Sequence, residues 1–212
     1  MKKIVWISSY PKSGNTFLRA MLSAFFYSKD GTFKQDYLKN ISEFPRDFFD
    51  FKPKNNFLNE VKEYEKVQKK ISSTDKEVIF LKTHSANLII NETFPTINKD
   101  FTVCSIYIVR DPRNVILSLK NHYNLDIKKS LSLLTNEKNF ISMNNKDLSK
   151  GYTLTLDWAS NYLSWKNQKN INTIFVKFED LVFEQEKTFK YILSKLKEFI
   201  NLEIDQKKIE NV

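Results

Sequence analysis

The sequence predicts an α/β protein, a three-layer α/β/α domain with a central parallel sheet. Short apolar runs alternate along the chain with longer segments whose apolar residues recur at helical spacing, and this alternation is typical of that class. The runs are apolar throughout rather than at every second residue, as expected when helices cover both faces of a parallel sheet. The 212 residues, with only 3 glycines and 5 prolines, predict one domain over residues 1–212.

Each element is predicted from its own residue pattern. The apolar runs predict strands at residues 4–8, 77–82, 103–109 and 172–178. Helical spacing of apolar residues predicts helices at residues 15–27, 58–71, 113–123, 126–140 and 154–169, and a long amphipathic helix after residue 178. The helix at 58–71 is highly charged and is expected to be exposed. The aromatic-rich segment 28–56 predicts a covering loop, whose rings either line a pocket or belong to the core.

Composition excludes several classes of protein. A hydrophobic fraction of 41% excludes a disordered chain. The net charge of +9 comes from lysines scattered along the sequence rather than gathered in one motif, which argues against a nucleic-acid partner. The single cysteine, Cys104, excludes an internal disulfide and is expected to be a buried, inert thiol. No apolar stretch approaches the length of a membrane span, and the first residues do not form a signal peptide, so we expect a cytoplasmic protein.

The segment Tyr-Pro-Lys-Ser-Gly-Asn-Thr, residues 10–16, predicts a phosphate-binding loop. It lies between the first strand and the first helix, where backbone N–H groups and the helix dipole attract anions. Gly14 allows the backbone to approach an anion closely. Lys12 adds a positive charge, and short hydrogen-bond donors are supplied by Ser13, Asn15 and Thr16.

This loop does not follow the nucleotide triphosphatase pattern. That pattern requires a glycine five residues before the second glycine and a lysine directly after it. Here Ser9 stands at the first glycine position, and Lys12 precedes Gly14. A phosphate-loop kinase or nucleotide hydrolase is therefore disfavoured, although it stays open as an alternative together with a non-catalytic nucleotide-binding protein.

The loop residues with Phe17 closely resemble the 5′-phosphosulfate loop of the soluble sulfotransferases. The resemblance implies a fold like that of the P-loop nucleotide hydrolases and a donor, 3′-phosphoadenosine 5′-phosphosulfate (PAPS). The segment Arg-Asp-Pro-Arg-Asn-Val-Ile-Leu-Ser is similar to a second family motif, and it implies that Arg110 and Ser118 bind the 3′-phosphate. A guanidinium suits that role because it holds two phosphate oxygens in a fork.

The segment Lys82-Thr-His84 resembles a third motif of the family, in which the histidine is the catalytic base. An imidazole is suited to taking a proton from a hydroxyl near neutral pH. The resemblance also implies that Lys12 stabilises the leaving 5′-phosphate and that Lys82 assists near the sulfonate. The other histidine, His122, has no motif around it and is expected to be structural.

A fourth resemblance concerns two aromatic positions that stack on adenine in the family, occupied here by Phe17 and Phe178. Phe17 is equally well explained as a core residue. The family's Arg-Lys-Gly segment near the carboxyl terminus has no counterpart in this sequence, which predicts a C-terminally truncated member.

The resemblance therefore implies a sulfotransferase that moves a sulfonate from PAPS to a hydroxyl or amine, without a metal. The acceptor is expected to be a small molecule, a lipid or a carbohydrate. The sequence does not indicate which of these it is, nor the oligomeric state.

Overall fold

The structure is a computed structural model that describes residues 2–45, 48, 57–137, 140–141 and 153–212. The remainder of the covering segment, including Phe49 and Phe51, lies outside the described residues. The strands are β1 Ile4–Ser9, β2 Ser42–Glu43, β3 Ile79–Thr83, β4 Ile89–Ile90, β5 Phe94–Pro95, β6 Thr102–Val109, β7 Phe140–Ile141, β8 Thr153–Leu154 and β9 Thr173–Lys177. The helices are α1 Asn15–Tyr27, α2 Phe57–Ser72, α3 Pro112–Tyr123, α4 Ile127–Thr135, α5 Trp158–Lys166, α6 Phe178–Phe183, α7 Gln185–Leu196 and α8 Gln206–Asn211, with a 3₁₀ helix at Gln35–Asn40.

The main sheet has five strands in the order β2-β3-β1-β6-β9. All of its pairings are parallel, which confirms the predicted parallel sheet. The central strand β1 is buried at every residue, so its continuous apolar run reflects cover on both faces. Two short antiparallel pairs, β4 with β5 and β7 with β8, stand apart from this sheet.

Hydrophobic layers on the two faces of the sheet complete the α/β/α arrangement. On one face Val5 and Ile7 pack in a cluster with residues of α1 and α7. On the other face Trp6 packs in a cluster that contains Tyr64 of α2 and Trp165 of α5. Residues of β1 thus alternate between the two cores, because successive side chains of a strand point to opposite faces. The predicted three-layer architecture is confirmed.

Four predicted helices differ from those observed. The helix predicted at 126–140 ends at Thr135, and the one predicted at 154–169 begins only at Trp158, where Asp157 accepts a bond from the Ser160 N–H. The predicted long helix after 178 is two helices, because Glu184 has a non-helical backbone. The helix predicted to be exposed, α2, buries Val61 and Tyr64, and it buries the charged residue Glu60 as well, so only part of the helix is exposed.

The covering segment is partly regular. Arg19 of α1 donates through Nη2 to the carbonyl oxygens of Leu38 and Ile41 at 3.1 and 2.6 Å. These bonds hold the 3₁₀ helix against α1, beside the sheet edge at which the strands end.

As predicted, Cys104 is buried, and burial raises the pKa of its thiol to about 12.

Candidate active site

The parallel strands bring one residue each to a common edge of the sheet. His84 directly follows β3, Arg110 follows β6, and Phe178 follows β9. Glu43 is the last residue of β2, and β1 leads through Ser9 into the phosphate loop. The carboxyl ends of parallel strands are where ligands bind in open α/β sheets. A cleft of about 630 Å³ lies at this edge. It is lined by His84, Arg110, Phe178 and Glu43.

The phosphate loop has the backbone of an anion cradle. Lys12 and Gly14 have positive φ angles of 65° and 97°, and within the described residues no side chain caps α1 at Gly14. The hydroxyl of Ser13 is buried and has no hydrogen-bond partner among the described residues. Asn15 is anchored below the loop, where its Nδ2 donates to the Ile7 carbonyl at 3.0 Å and to Ser9 Oγ at 3.2 Å. The uncapped start of α1 therefore leaves room for an anion.

Gly14 is required by a second contact. A Cβ built at Gly14 would lie 2.1 Å from a ring carbon of Phe178, so no other side chain fits there without moving that ring. Phe17 and Phe178 meet edge to face, with centroids 6.4 Å apart. Both rings line the cleft, and they form an apolar wall beside the phosphate loop.

Arg110 is fixed by two contacts. Its Nη1 donates to the Lys12 carbonyl at 2.8 Å, and its guanidinium carbon lies 4.4 Å from the centroid of the Phe178 ring. Its Nε is buried without a partner among the described residues, which leaves a donor for a ligand. Burial and the charge of Arg110 lower the pKa of Lys12. Ser118 of α3 lines the same cleft. Arg110 and Ser118, which were predicted to bind one phosphate, therefore line the same cleft.

The tautomer of His84 follows from its hydrogen bonds. His84 Nδ1 lies 2.8 Å from the carbonyl oxygen of Ser9. A carbonyl oxygen can only accept, so Nδ1 carries the proton and Nε2 carries the lone pair. The backbone is held as well, because Asn161 Nδ2 donates to the His84 carbonyl at 3.1 Å and Tyr107 donates to Asn161 Oδ1 at 2.7 Å. The imidazole thus lies in the cleft with a basic nitrogen and a fixed orientation.

Burial is the largest cause that lowers the pKa of His84 to about 3. The charge of Lys82 comes second, and Arg19 and Lys12 add smaller effects in the same direction. The bond to Ser9 acts in the opposite direction. At neutral pH the imidazole is therefore uncharged and able to accept a proton. Negative charge brought into the cleft would offset the cations and strengthen the base.

Lys82 forms a largely buried ion pair that the sequence does not indicate. Its Nζ lies 3.0 Å from Oε2 of Glu43, with side-chain exposures of 11% and 13%. The two residues are register partners on β3 and β2, and the Phe44 N–H donates to the Lys82 carbonyl at 2.8 Å. The ammonium of Lys82 is therefore held at the cleft wall by a carboxylate.

The structure brings most of the predicted site residues to one cleft, namely Lys12, Gly14, Asn15, Thr16, Phe17, Lys82, His84, Arg110, Ser118 and Phe178. Ser13 is buried and does not line the cleft. His122, predicted to be structural, lines the cleft together with Tyr123. Sequence reasoning missed Glu43 as well, because no motif marks it.

Among the described residues, no group of three or more histidine, cysteine, aspartate or glutamate side chains is arranged to hold a metal ion. In the same part of the chain, no helix has the length and apolarity needed to cross a membrane.

The fold and the cleft define a class of protein. It comprises parallel α/β domains in which a loop with the backbone of an anion cradle follows the first strand. The chain belongs to the sulfotransferase domain family, whose model matches residues 2–212. A search among curated proteins finds no match.

Several solved structures are similar to this chain, and three of them are described here. Retinol dehydratase in a complex with retinol and PAP is 15% identical with a TM-score of 0.55, over 99% of this chain and 63% of that one. An uncharacterized protein from Eubacterium ventriosum is 15% identical with a TM-score of 0.43, over 92% of this chain and 99% of that one. The sulfotransferase domain from the curacin biosynthetic pathway is 16% identical with a TM-score of 0.42, over 98% and 77%. The chain thus shares its fold with retinol dehydratase and spans 63% of that protein's length.

Proposed function

We propose that this protein transfers a sulfonate from PAPS to a hydroxyl or amine of a small-molecule, lipid or carbohydrate acceptor. The observation that carries the proposal is the meeting of three groups in one cleft: the phosphate loop, Arg110 and the basic nitrogen of His84. Family membership supports the reaction, and the solved complex of retinol dehydratase with PAP supports the donor.

The residues fit the donor at both of its ends. The backbone at Gly14 and the side chain of Thr16 suit the 5′-phosphate, and the unsatisfied Nε of Arg110 suits the 3′-phosphate together with Ser118. The ring of Phe178 contacts both Gly14 and Arg110, and it is available to pack against the adenine of the donor.

The donor supplies an activated sulfonate and leaves as adenosine 3′,5′-bisphosphate. Nε2 of His84 accepts the proton of the acceptor hydroxyl, while Nδ1 keeps its bond to Ser9. Lys12 stabilises negative charge on the departing 5′-phosphate, and Lys82 provides positive charge near the sulfonate. Positioning and charge stabilisation supply most of the rate in such transfers.

The first experiment measures nucleotide binding by calorimetry. We expect adenosine 3′,5′-bisphosphate to bind more tightly than ATP, because the cleft has separate groups for two distant phosphates. A preference for ATP would favour a kinase or nucleotide hydrolase instead. Transfer from radiolabelled PAPS to a panel of acceptors then separates an enzyme from a non-catalytic binding protein.

The second experiment tests the base. Replacing His84 by Ala should lower turnover by about 100-fold or more, while the affinity for adenosine 3′,5′-bisphosphate changes little. The comparison is His122→Ala, which removes the other imidazole that lines the cleft and should cost much less turnover. Full turnover of the His84 variant would exclude it as the base.

A further inference from the structure

The side chain of Asn15 is hydrogen-bonded to the strand that precedes the phosphate loop. Asn15 is the first residue of α1 and is only 4% exposed. Its Nδ2 lies 3.0 Å from the carbonyl oxygen of Ile7. A carbonyl oxygen only accepts hydrogen bonds, so the amide nitrogen of Asn15, rather than its amide oxygen, must face Ile7. The second N–H of the same nitrogen donates to Ser9 Oγ at 3.2 Å.

These bonds leave the Asn15 side chain with nothing to donate to a phosphate. An amide nitrogen has two N–H groups, and both of them have acceptors within β1. The other amide atom, Oδ1, is buried and has no hydrogen-bond partner among the described residues. It is an acceptor, so it cannot bond to an ionised phosphate oxygen. The side chain therefore fits another role better than that of a phosphate ligand.

Ser9, the second acceptor of Asn15, is also the residue that orients the base. Nδ1 of His84 lies 2.8 Å from the Ser9 carbonyl oxygen and 3.2 Å from Ser9 Oγ. The two oxygens of Ser9 therefore flank the Nδ1–H, and Asn15 holds one of them. Water has little access to these bonds, because Ser9 and Asn15 are both buried. One side chain thus connects the start of α1 to the residue that fixes the imidazole.

We propose that Asn15 is a positioning residue for the base, and that it acts through Ser9 to hold the His84 imidazole in a fixed position relative to the donor. The proposal rests on the proposed sulfonate transfer and assigns a further residue to that reaction. A base contributes only when its lone pair is within hydrogen-bond reach of the proton that it takes. A misplacement of about 1 Å can lower the rate by about 100-fold, so a side chain that ties the base to the phosphate loop affects turnover.

The test separates base positioning from donor binding by comparing two neighbouring residues. Asn15→Ala removes the amide and keeps the backbone N–H, whereas Thr16→Ala removes an exposed hydroxyl that lines the cleft. Calorimetry measures the affinity for adenosine 3′,5′-bisphosphate, and kinetics with PAPS measure kcat and KM. We expect Asn15→Ala to lower kcat by about 10-fold and to change the bisphosphate affinity by less than about twofold. Thr16→Ala should weaken the bisphosphate by about 3- to 10-fold.

Long-range ¹H–¹⁵N NMR of the protein without substrates gives a readout that does not depend on catalysis. The His84 signals should change in Asn15→Ala and in Ser9→Ala, because each variant removes part of the contact that fixes Nδ1–H. The matched control is Ser8→Ala, which removes the buried hydroxyl of the preceding residue, 3.2 Å from Ser105 Oγ on β6. This control should keep the His84 signals of the wild type.

Unchanged His84 signals in Asn15→Ala or Ser9→Ala, or the same change in Ser8→Ala, would overturn the proposal. An unchanged kcat in Asn15→Ala would do so too. A loss of bisphosphate affinity in Asn15→Ala as large as that in Thr16→Ala would also overturn it, because Asn15 would then act on the donor. If the wild type transfers no sulfonate from PAPS, the proposed function fails, and the NMR comparison still decides whether Asn15 orients His84.

Discussion

At pH 5 the imidazole of His84 should still be neutral. Its pKa is lowered to about 3, first by burial and then by nearby cations. A group with this pKa is about 1% protonated at pH 5, whereas a histidine at the reference value of about 6.5 is about 97% protonated. A single measurement of the protonated fraction at pH 5 therefore distinguishes the two cases.

The assay is a long-range ¹H–¹⁵N NMR titration of the imidazole nitrogens from pH 8 to pH 5. The His122→Gln variant assigns the two histidines of the chain. We expect the His84 signals to stay at the positions of the Nδ1–H tautomer, as its bond to the Ser9 carbonyl requires. A midpoint near 6.5 would refute the reasoning, since burial and the neighbouring cations would then not control this group. Saturating adenosine 3′,5′-bisphosphate should raise the pKa, because its charge offsets those cations.

Stability should follow the same group. The unfolded chain takes up a proton on His84 below about pH 6.5, whereas the folded chain does so only near pH 3. Stability from this histidine is therefore complete above pH 6.5 and is lost as the pH falls, by about 1.4 kcal/mol per pH unit. Urea unfolding of the wild type and His84→Gln between pH 7 and pH 5 measures the slope, which should be shallower in the variant.

Three further predictions concern binding and packing. Arg110→Lys should weaken adenosine 3′,5′-bisphosphate by about 10- to 100-fold and AMP hardly at all; equal losses in calorimetry would contradict a 3′-phosphate site. Gly14 has a φ of 97°, and a Cβ there would clash with the Phe178 ring, so Gly14→Ala should lower both Tm and nucleotide affinity. Gly31 is the control. It has a φ of 92° and a clash with the Lys208 backbone, so Gly31→Ala should lower Tm alone. Asn161→Leu should cost about 2 to 4 kcal/mol in urea unfolding, because it leaves buried partners unpaired, and an unchanged midpoint would exclude this positioning role.

The part of the site that follows long strands could be predicted from the sequence. His84 and Arg110 each come directly after an apolar run that forms a buried strand. Parallel strands end at one edge, so the two residues were expected to meet there. The phosphate loop was predicted for the same reason, because the run before it and the helical pattern after it fix its place.

The other side of the cleft could not be predicted, since non-local contacts create it. Glu43 ends a strand of only two residues that exists through its pairing with β3, and a two-residue strand has no periodicity. His122 and Tyr123 lie at the end of α3, and whether that end reaches the cleft depends on how the helix packs. The division of the last amphipathic stretch into α6 and α7 depends on the backbone of one residue, Glu184.

The ring of Phe178 has a consequence for the two ends of the nucleotide. It contacts Gly14 in the phosphate loop and stacks on Arg110, which in turn bonds to the Lys12 carbonyl. The groups proposed to bind the 5′ and 3′ phosphates are therefore in contact with each other through this ring. Loss of the ring and loss of the guanidinium should therefore be non-additive in a double-mutant cycle that measures the affinity for adenosine 3′,5′-bisphosphate.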